Sequence, residues 1–153
     1  MRILAVDDDP AMLNLIAHAL SRAGHEVLVA RNGEEALARV ENVQPDVIIL
    51  DVMMPDVDGY EVCRRLRRKP STAAIPVMML SALGTLENKI AGYEAGADDY
   101  MVQPFEPAEM EAHVRALLRR RSAPSQVPRR DQNWVAGLSL SSRRVARRQQ
   151  KRD

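Results

Sequence analysis

Aromatic residues are scarce in this chain: one Trp, one Phe and three Tyr among 153 residues. A core built from it must be aliphatic, with methionine filling the gaps. There is a single cysteine, Cys63. That excludes an internal disulfide and fits a reducing compartment. Cys63 falls on a predicted helix with no base or second thiol suggested beside it, so it is expected to be a small core residue rather than a nucleophile. No apolar run is long enough to span a membrane. The N-terminus enters a strand at once, unlike a signal peptide. A soluble cytoplasmic protein without a membrane partner is expected. No G-x-G-x-x-G or Walker pattern opens a helix, so nucleotide binding lacks its usual fingerprint.

What the chain does have is a rhythm. Residues 2–6, 27–30, 47–50, 75–80 and 99–102 read as short apolar strands. Each is followed by a helical pattern, at 10–23, 34–43, 60–68, 86–95 and 107–121. Asp9 with Pro10 marks a helix start, and Gly24 and Gly96 mark helix stops. Five strand-then-helix repeats with short loops predict α/β architecture with a parallel sheet. The expected fold is doubly wound and flavodoxin-like, with strand order 2-1-3-4-5.

The centre of the pattern is Asp46-Val47-Ile48-Ile49-Leu50-Asp51-Val52-Met53-Met54-Pro55. An apolar run in which three of four residues are β-branched reads as a strand buried on both faces. It ends at Asp51, which can be read as a helix cap or as a site, because open α/β sheets place ligands at the carboxyl ends of their strands. In the predicted order strands one and three are neighbours. Asp7 and Asp8 end strand one, Asp51 ends strand three, and Ser81 and Gln103 end strands four and five. Three carboxylates cannot share a site without a cation or protonation. An all-oxygen site with waters suits Mg²⁺. A carboxylate beside Mg²⁺ can attack phosphorus and form an aspartyl phosphate.

These residues resemble a known family. Val6-Asp7-Asp8-Asp9, Leu50-Asp51-Val52-Met53-Met54-Pro55 with Asp58-Gly59, Leu80-Ser81-Ala82, and Gly96-Ala97-Asp98-Asp99-Tyr100 with Pro104-Phe105 are similar to the receiver domain of two-component response regulators. The resemblance covers residues 1–121. It implies that Asp51 accepts a phosphoryl group from a histidine kinase. It implies that Asp8 and Asp51 bind Mg²⁺ directly, Asp7 through water, and Met53 by its backbone carbonyl. It makes Ser81 the hydroxyl that bonds the phosphoryl group and Tyr100 the aromatic that turns inward. The family usually has lysine where this chain has Gln103. Residues 86–121 further resemble the dimerisation face of the winged-helix class, through Lys89, Glu94, Asp98, Asp99, Glu109 and Arg115. His113 stands where that class usually has arginine. The bland reading of this face is a solvated, charged surface, with His113 a solvated helix-face histidine.

Charge divides the chain. Residues 1–118 carry 11 Lys/Arg against 19 Asp/Glu; residues 119–153 carry 11 against 2. Residues 122–132 read as a linker. Residues 133–153 resemble the opening strands of a winged-helix effector, truncated before any recognition helix; the alternative is a disordered basic tail. Basic charge without a reading element would attract nucleic acid in a salt-sensitive way, so sequence-specific DNA binding is expected only of a full-length form. The leading expectation is therefore a phosphoacceptor switch that regulates transcription in a full-length form, and not an enzyme. The alternatives are a phosphorylation-independent interaction module and a Mg²⁺-dependent phosphohydrolase. The second is disfavoured because such enzymes carry an Asp two residues after the nucleophile, where this chain has Met53.

Overall fold

The computed structural model describes residues 1–122. The linker and effector readings lie outside them, save Ser122, which continues the last helix. The chain runs β1 (Arg2–Val6), α1 (Pro10–Arg22), β2 (Glu26–Ala30), α2 (Gly33–Val43), β3 (Val47–Leu50), α3 (Gly59–Arg68), β4 (Val77–Ser81), α4 (Leu86–Ala95), β5 (Asp99–Val102) and α5 (Pro107–Ser122). The strands form one parallel sheet in the order β2-β1-β3-β4-β5. This is the expected flavodoxin-like topology.

The period-two alternation of side chains explains the layers. Leu4, Val6, Ile48, Leu50, Val77 and Met79 face the side covered by α2, α3 and α4. Ile3, Ala5, Val47, Ile49, Met78 and Leu80 face the side covered by α1 and α5. All four residues of β3 are buried, as a strand covered on both faces requires. Cys63 is buried in the first layer, and its thiol is pushed up to about 11 by desolvation. It is a core residue without thiolate reactivity.

Three elements start one residue early, β2, α2 and α3 at Glu26, Gly33 and Gly59, and the ends of α1, β4 and α5 also shift by one. The fourth strand differs more. The β-branched Ile75 predicts an earlier start, but the strand begins at Val77. The Ile75 amide closes a turn on the Thr72 carbonyl, and the Thr72 hydroxyl donates to Leu66 at 2.7 Å. Backbone spent on this turn is withdrawn from the ladder.

The order places the switch point between β1 and β3. The β1 chain leaves toward α1 on one face, and the β3 chain leaves toward α3 on the other. A crevice opens where such connections diverge.

Candidate functional site

β1 and β3 pair in register, Val6 opposite Leu50, so the residues that follow them emerge side by side. The Asp7 amide donates to the Ala30 carbonyl, and the Asp51 amide to the Val6 carbonyl at 2.9 Å. The ladder thus holds both backbones beyond the formal strand ends. Asp51 is 8% exposed and Asp7 4%, while Asp8 is exposed. One carboxylate oxygen from each of Asp7, Asp8 and Asp51 lies within 4.8 Å of the others. Asp51 does not cap α3; Asp58 does, accepting from the Glu61 amide at 2.9 Å. That removes the cap reading of Asp51.

Electrostatics follow from this crowding. Burial, and then the neighbouring Asp7 charge, push Asp51 from its ordinary 3.8 up to about 7, against the nearby Met53 and Val52 amides, which favour its charged form. Burial also raises Asp7, opposed by the Asp9 amide, which donates to its Oδ1 at 2.9 Å. No cation figures among the leading influences on either carboxylate. Hard oxygens, compact spacing and uncompensated negative charge are what a divalent cation such as Mg²⁺ relieves, so the donor set fits that ion.

Ser81, fully buried at the end of β4, accepts from the Leu83 amide at 3.1 Å. Tyr100 is buried, and its hydroxyl donates to the Leu83 carbonyl at 2.8 Å. Burial and the neighbouring Tyr60 hydroxyl push the Tyr100 phenol up to about 12. Its ring lies against α4 at Gly92, where an added Cβ would stand 2.7 Å from Cδ2. Only a residue without a side chain leaves room for the ring there. Gln103 sits at the end of β5, its backbone amide donating to Ser81 at 2.8 Å. Its side-chain amide is directed at the Leu80 carbonyl, 3.4 Å away. Met53 is 59% exposed.

Other contacts escaped the sequence. Tyr60, on α3, donates to the Asn88 carbonyl of α4 at 3.1 Å. Asp56 accepts from the first amides of α2. His113 is not simply solvated: its Nδ1 lies 2.6 Å from Asp99 Oδ2. Asp98 is also used within the chain, accepting from Arg67 and from the Val77 amide, both at 2.9 Å. Helical spacing could have revealed one more feature: Leu86, Ile90 and Tyr93 recur at i, i+4 and i+7 and expose an apolar stripe on α4. No helix among the described residues is long and apolar enough to cross a membrane.

Residues 3–115 match the response regulator receiver domain family. Over 119 residues the chain is 53% identical to the DNA-binding dual master transcriptional regulator RpaA of Synechocystis sp., covering 78% of this chain and 49% of that protein. It is 44% identical over 133 residues to the alkaline phosphatase synthesis transcriptional regulatory protein PhoP of Bacillus subtilis, covering 86% and 55%. A crystal structure of a putative response regulator from Chloroflexus aurantiacus superposes with a TM-score of 0.74 at 44% identity, covering 76% of this chain and 96% of that one. The chain spans about half the length of the curated relatives it matches.

Proposed function

The chain belongs to the response regulator receiver family, and from that premise we propose that it is the phosphoacceptor switch of a two-component system, with Asp51 receiving a phosphoryl group from a histidine kinase. The observation that carries this reading is the meeting of Asp7, Asp8 and Asp51 at the switch point, their oxygens within 4.8 Å. An Asp51 carboxylate oxygen attacks phosphorus. A P–O bond forms, the P–N bond to the donor imidazole breaks, and the departing nitrogen keeps its electron pair. Asp8 would hold Mg²⁺ directly together with Asp51, Asp7 would hold it through water, and the Met53 carbonyl would complete the protein's share. When bound, the ion neutralises charge on the transferring group. The Ser81 hydroxyl donates to a phosphoryl oxygen, and Tyr100 packs inward behind it.

The consequence reaches the surface through α4. Ser81 and Tyr100 both bond Leu83, at the entry to that helix. The apolar stripe of Leu86, Ile90 and Tyr93 supports a homodimer through residues 86–121 as the output. Asp99 must then leave or share its bond to His113 before it can bridge two copies. In a longer protein this dimer would position a DNA-binding domain.

Incubation with Mg²⁺ and acetyl phosphate, followed by intact mass, tests the reading. The parent should gain one phosphoryl mass and Asp51→Asn none. A gain retained in that variant removes the assignment. Metal binding should divide the other residues. Asp8→Ala should weaken calorimetric Mg²⁺ affinity far more than Ser81→Ala, because a hard cation loses a charged ligand only in the first. Equal affinities would contradict it.

Gln103 favours a second reading, a phosphorylation-independent interaction module, since its amide is neutral and turned to Leu80. A parent that takes no phosphoryl group would favour this second reading, and Gln103→Lys tests whether the missing charge is the cause. A charge-assisted bond in place of a neutral one should favour the phosphorylated state by about 1–2 kcal/mol. The phosphorylation rate and the phosphorylation-dependent dimer fraction should both rise, read by mass spectrometry and size-exclusion scattering. No rise in either would make Gln103 a tolerated substitution.

A further inference from the structure

The segment between β3 and α3 is held at both ends. At its near end the Gly59 amide donates to the Val52 carbonyl at 2.8 Å, and an added Cβ on Gly59 would lie 2.3 Å from the Asp51 carbonyl oxygen. In the middle Met54 is buried in the core. At its far end Asp56 reaches out of the segment to another helix. Its Oδ1 accepts from the Gly33 amide at 3.3 Å, and its Oδ2 from the Glu34 amide at 3.2 Å. Those are the first two amides of α2. The next is taken by the Asn32 side chain and the fourth by the Asn32 carbonyl. The first three amides of α2, which have no helical partner, are therefore satisfied by side chains, two of them by Asp56.

A separate contact shows how close the two segments lie. A Cβ on Gly33 would stand 2.6 Å from the Val57 carbonyl oxygen and 2.9 Å from Val62 Cγ2. The loop carbonyl and the helix terminus thus meet without space for a methyl group. A carboxylate is the right group for that place, because it has two acceptors and a charge that the helix N-terminus favours. The same loop is closed directly behind Asp51, by the Gly59 amide on the Val52 carbonyl.

We infer that Asp56 is a positioning residue for the phosphoacceptor. By clasping the first turn of α2 it fixes the course of the loop that follows Asp51 and so the place of its carboxylate. Asp56 touches neither Asp51 nor a bound ion; it acts through the loop. The inference rests on the proposed role of Asp51. Groups that orient metal ligands from the next layer typically carry about tenfold or more in affinity.

The full 153-residue chain tests this as parent, Asp56→Ala and Asp56→Asn. Asn keeps one acceptor and loses the charge, so it should lie between the other two. Mg²⁺ affinity by calorimetry should fall about tenfold in Asp56→Ala. The rate of phosphorylation from acetyl phosphate should remain several-fold low at saturating Mg²⁺. A mere cap would behave otherwise: the Gly33 and Glu34 amides would lose exchange protection while affinity and saturated rate stayed within twofold of the parent. That result, or an Asn variant no better than Ala, overturns the inference. If Asp56→Ala does not fold, the Asn variant decides by itself, with parent-like affinity as the overturning result. A parent that binds Mg²⁺ but takes no phosphoryl group would end the proposed function, and the affinity series would still decide whether Asp56 positions the site.

Discussion

Asp51→Asn should melt at a higher temperature than the parent at pH 8 in the presence of a chelator. The folded-state carboxyl is raised from 3.8 to about 7 by burial and by Asp7. Between those values the folded chain holds a proton that the unfolded chain has released. Stability from this group is therefore complete below about pH 4 and is lost as pH rises through about 7. The full shift corresponds to a ceiling of about 4 kcal/mol. The Asn amide accepts through only one oxygen and so loses part of the support that the Met53 and Val52 amides give the carboxylate. A gain of about 2–3 kcal/mol is expected after that loss, or on the order of 10 °C. Asp7 is raised in the same direction, so the parent's own melting temperature should fall between pH 5 and pH 8. Scanning calorimetry at pH 5 and pH 8 reads both effects. The advantage of Asp51→Asn should shrink at pH 5. It should shrink again when Mg²⁺ is added at pH 8, because the ion stabilises the parent by neutralising the cluster and the variant has lost a ligand. Equal melting temperatures at pH 8 without metal would mean that the cluster carries no uncompensated charge.

Arg67→Met should cost far more than the loss of an ordinary surface ion pair. The guanidinium ties three segments. Nε and Nη2 donate to the Gly96 carbonyl at 3.0 and 2.8 Å, and Nη1 donates to Ala73 and Ile75 at 3.0 and 2.6 Å. Nη2 also pairs with Asp98 at 2.9 Å. The side chain is 22% exposed, so water replaces these partners only in part. Removing the fork leaves three carbonyls and a carboxylate short of donors, for about 3 kcal/mol in a partly exposed network. A domain of this size would lose on the order of 10 °C. Lysine keeps the charge but has no planar fork, so Arg67→Lys should recover less than half of the loss. Thermal melts of the three proteins at pH 7 settle this, and full recovery by Lys would show that charge alone mattered. Gly96, at φ +113°, lies directly against Arg67, so the αL turn that ends α4 depends on the same contact.

Much of the molecule was legible beforehand because it rests on short-range rules. Val47–Leu50 reads as a two-face strand from four consecutive residues. Asp9 with Pro10, Gly24 and Gly96 announce helix ends through their own backbone preferences. Once five strand–helix units are counted, the handedness of crossovers brings Asp7 and Asp51 to one edge. The positions of the carboxylates and of Ser81 needed nothing more than strand ends and order, whereas Tyr100 was singled out by the family resemblance.

Only the tertiary structure decided what those groups experience and whom they touch. That Asp51 titrates near 7 depends on how completely β1, β3 and the following loop exclude water, and on the distance to Asp7. Neither quantity is written in local periodicity. Asp56 meets α2 across 22 and 23 residues, Arg67 meets Asp98 across 31, and His113 meets Asp99 across 14. Each is a polar side chain that in isolation reads as a solvated surface residue. The partner is chosen by where packed elements leave an unsatisfied amide, carbonyl or carboxylate, and that choice exists only after the layers have closed. The same reasoning explains why Ile75 stands outside β4 despite its β-branched side chain: a hydrogen-bonded turn with Thr72 takes its amide first.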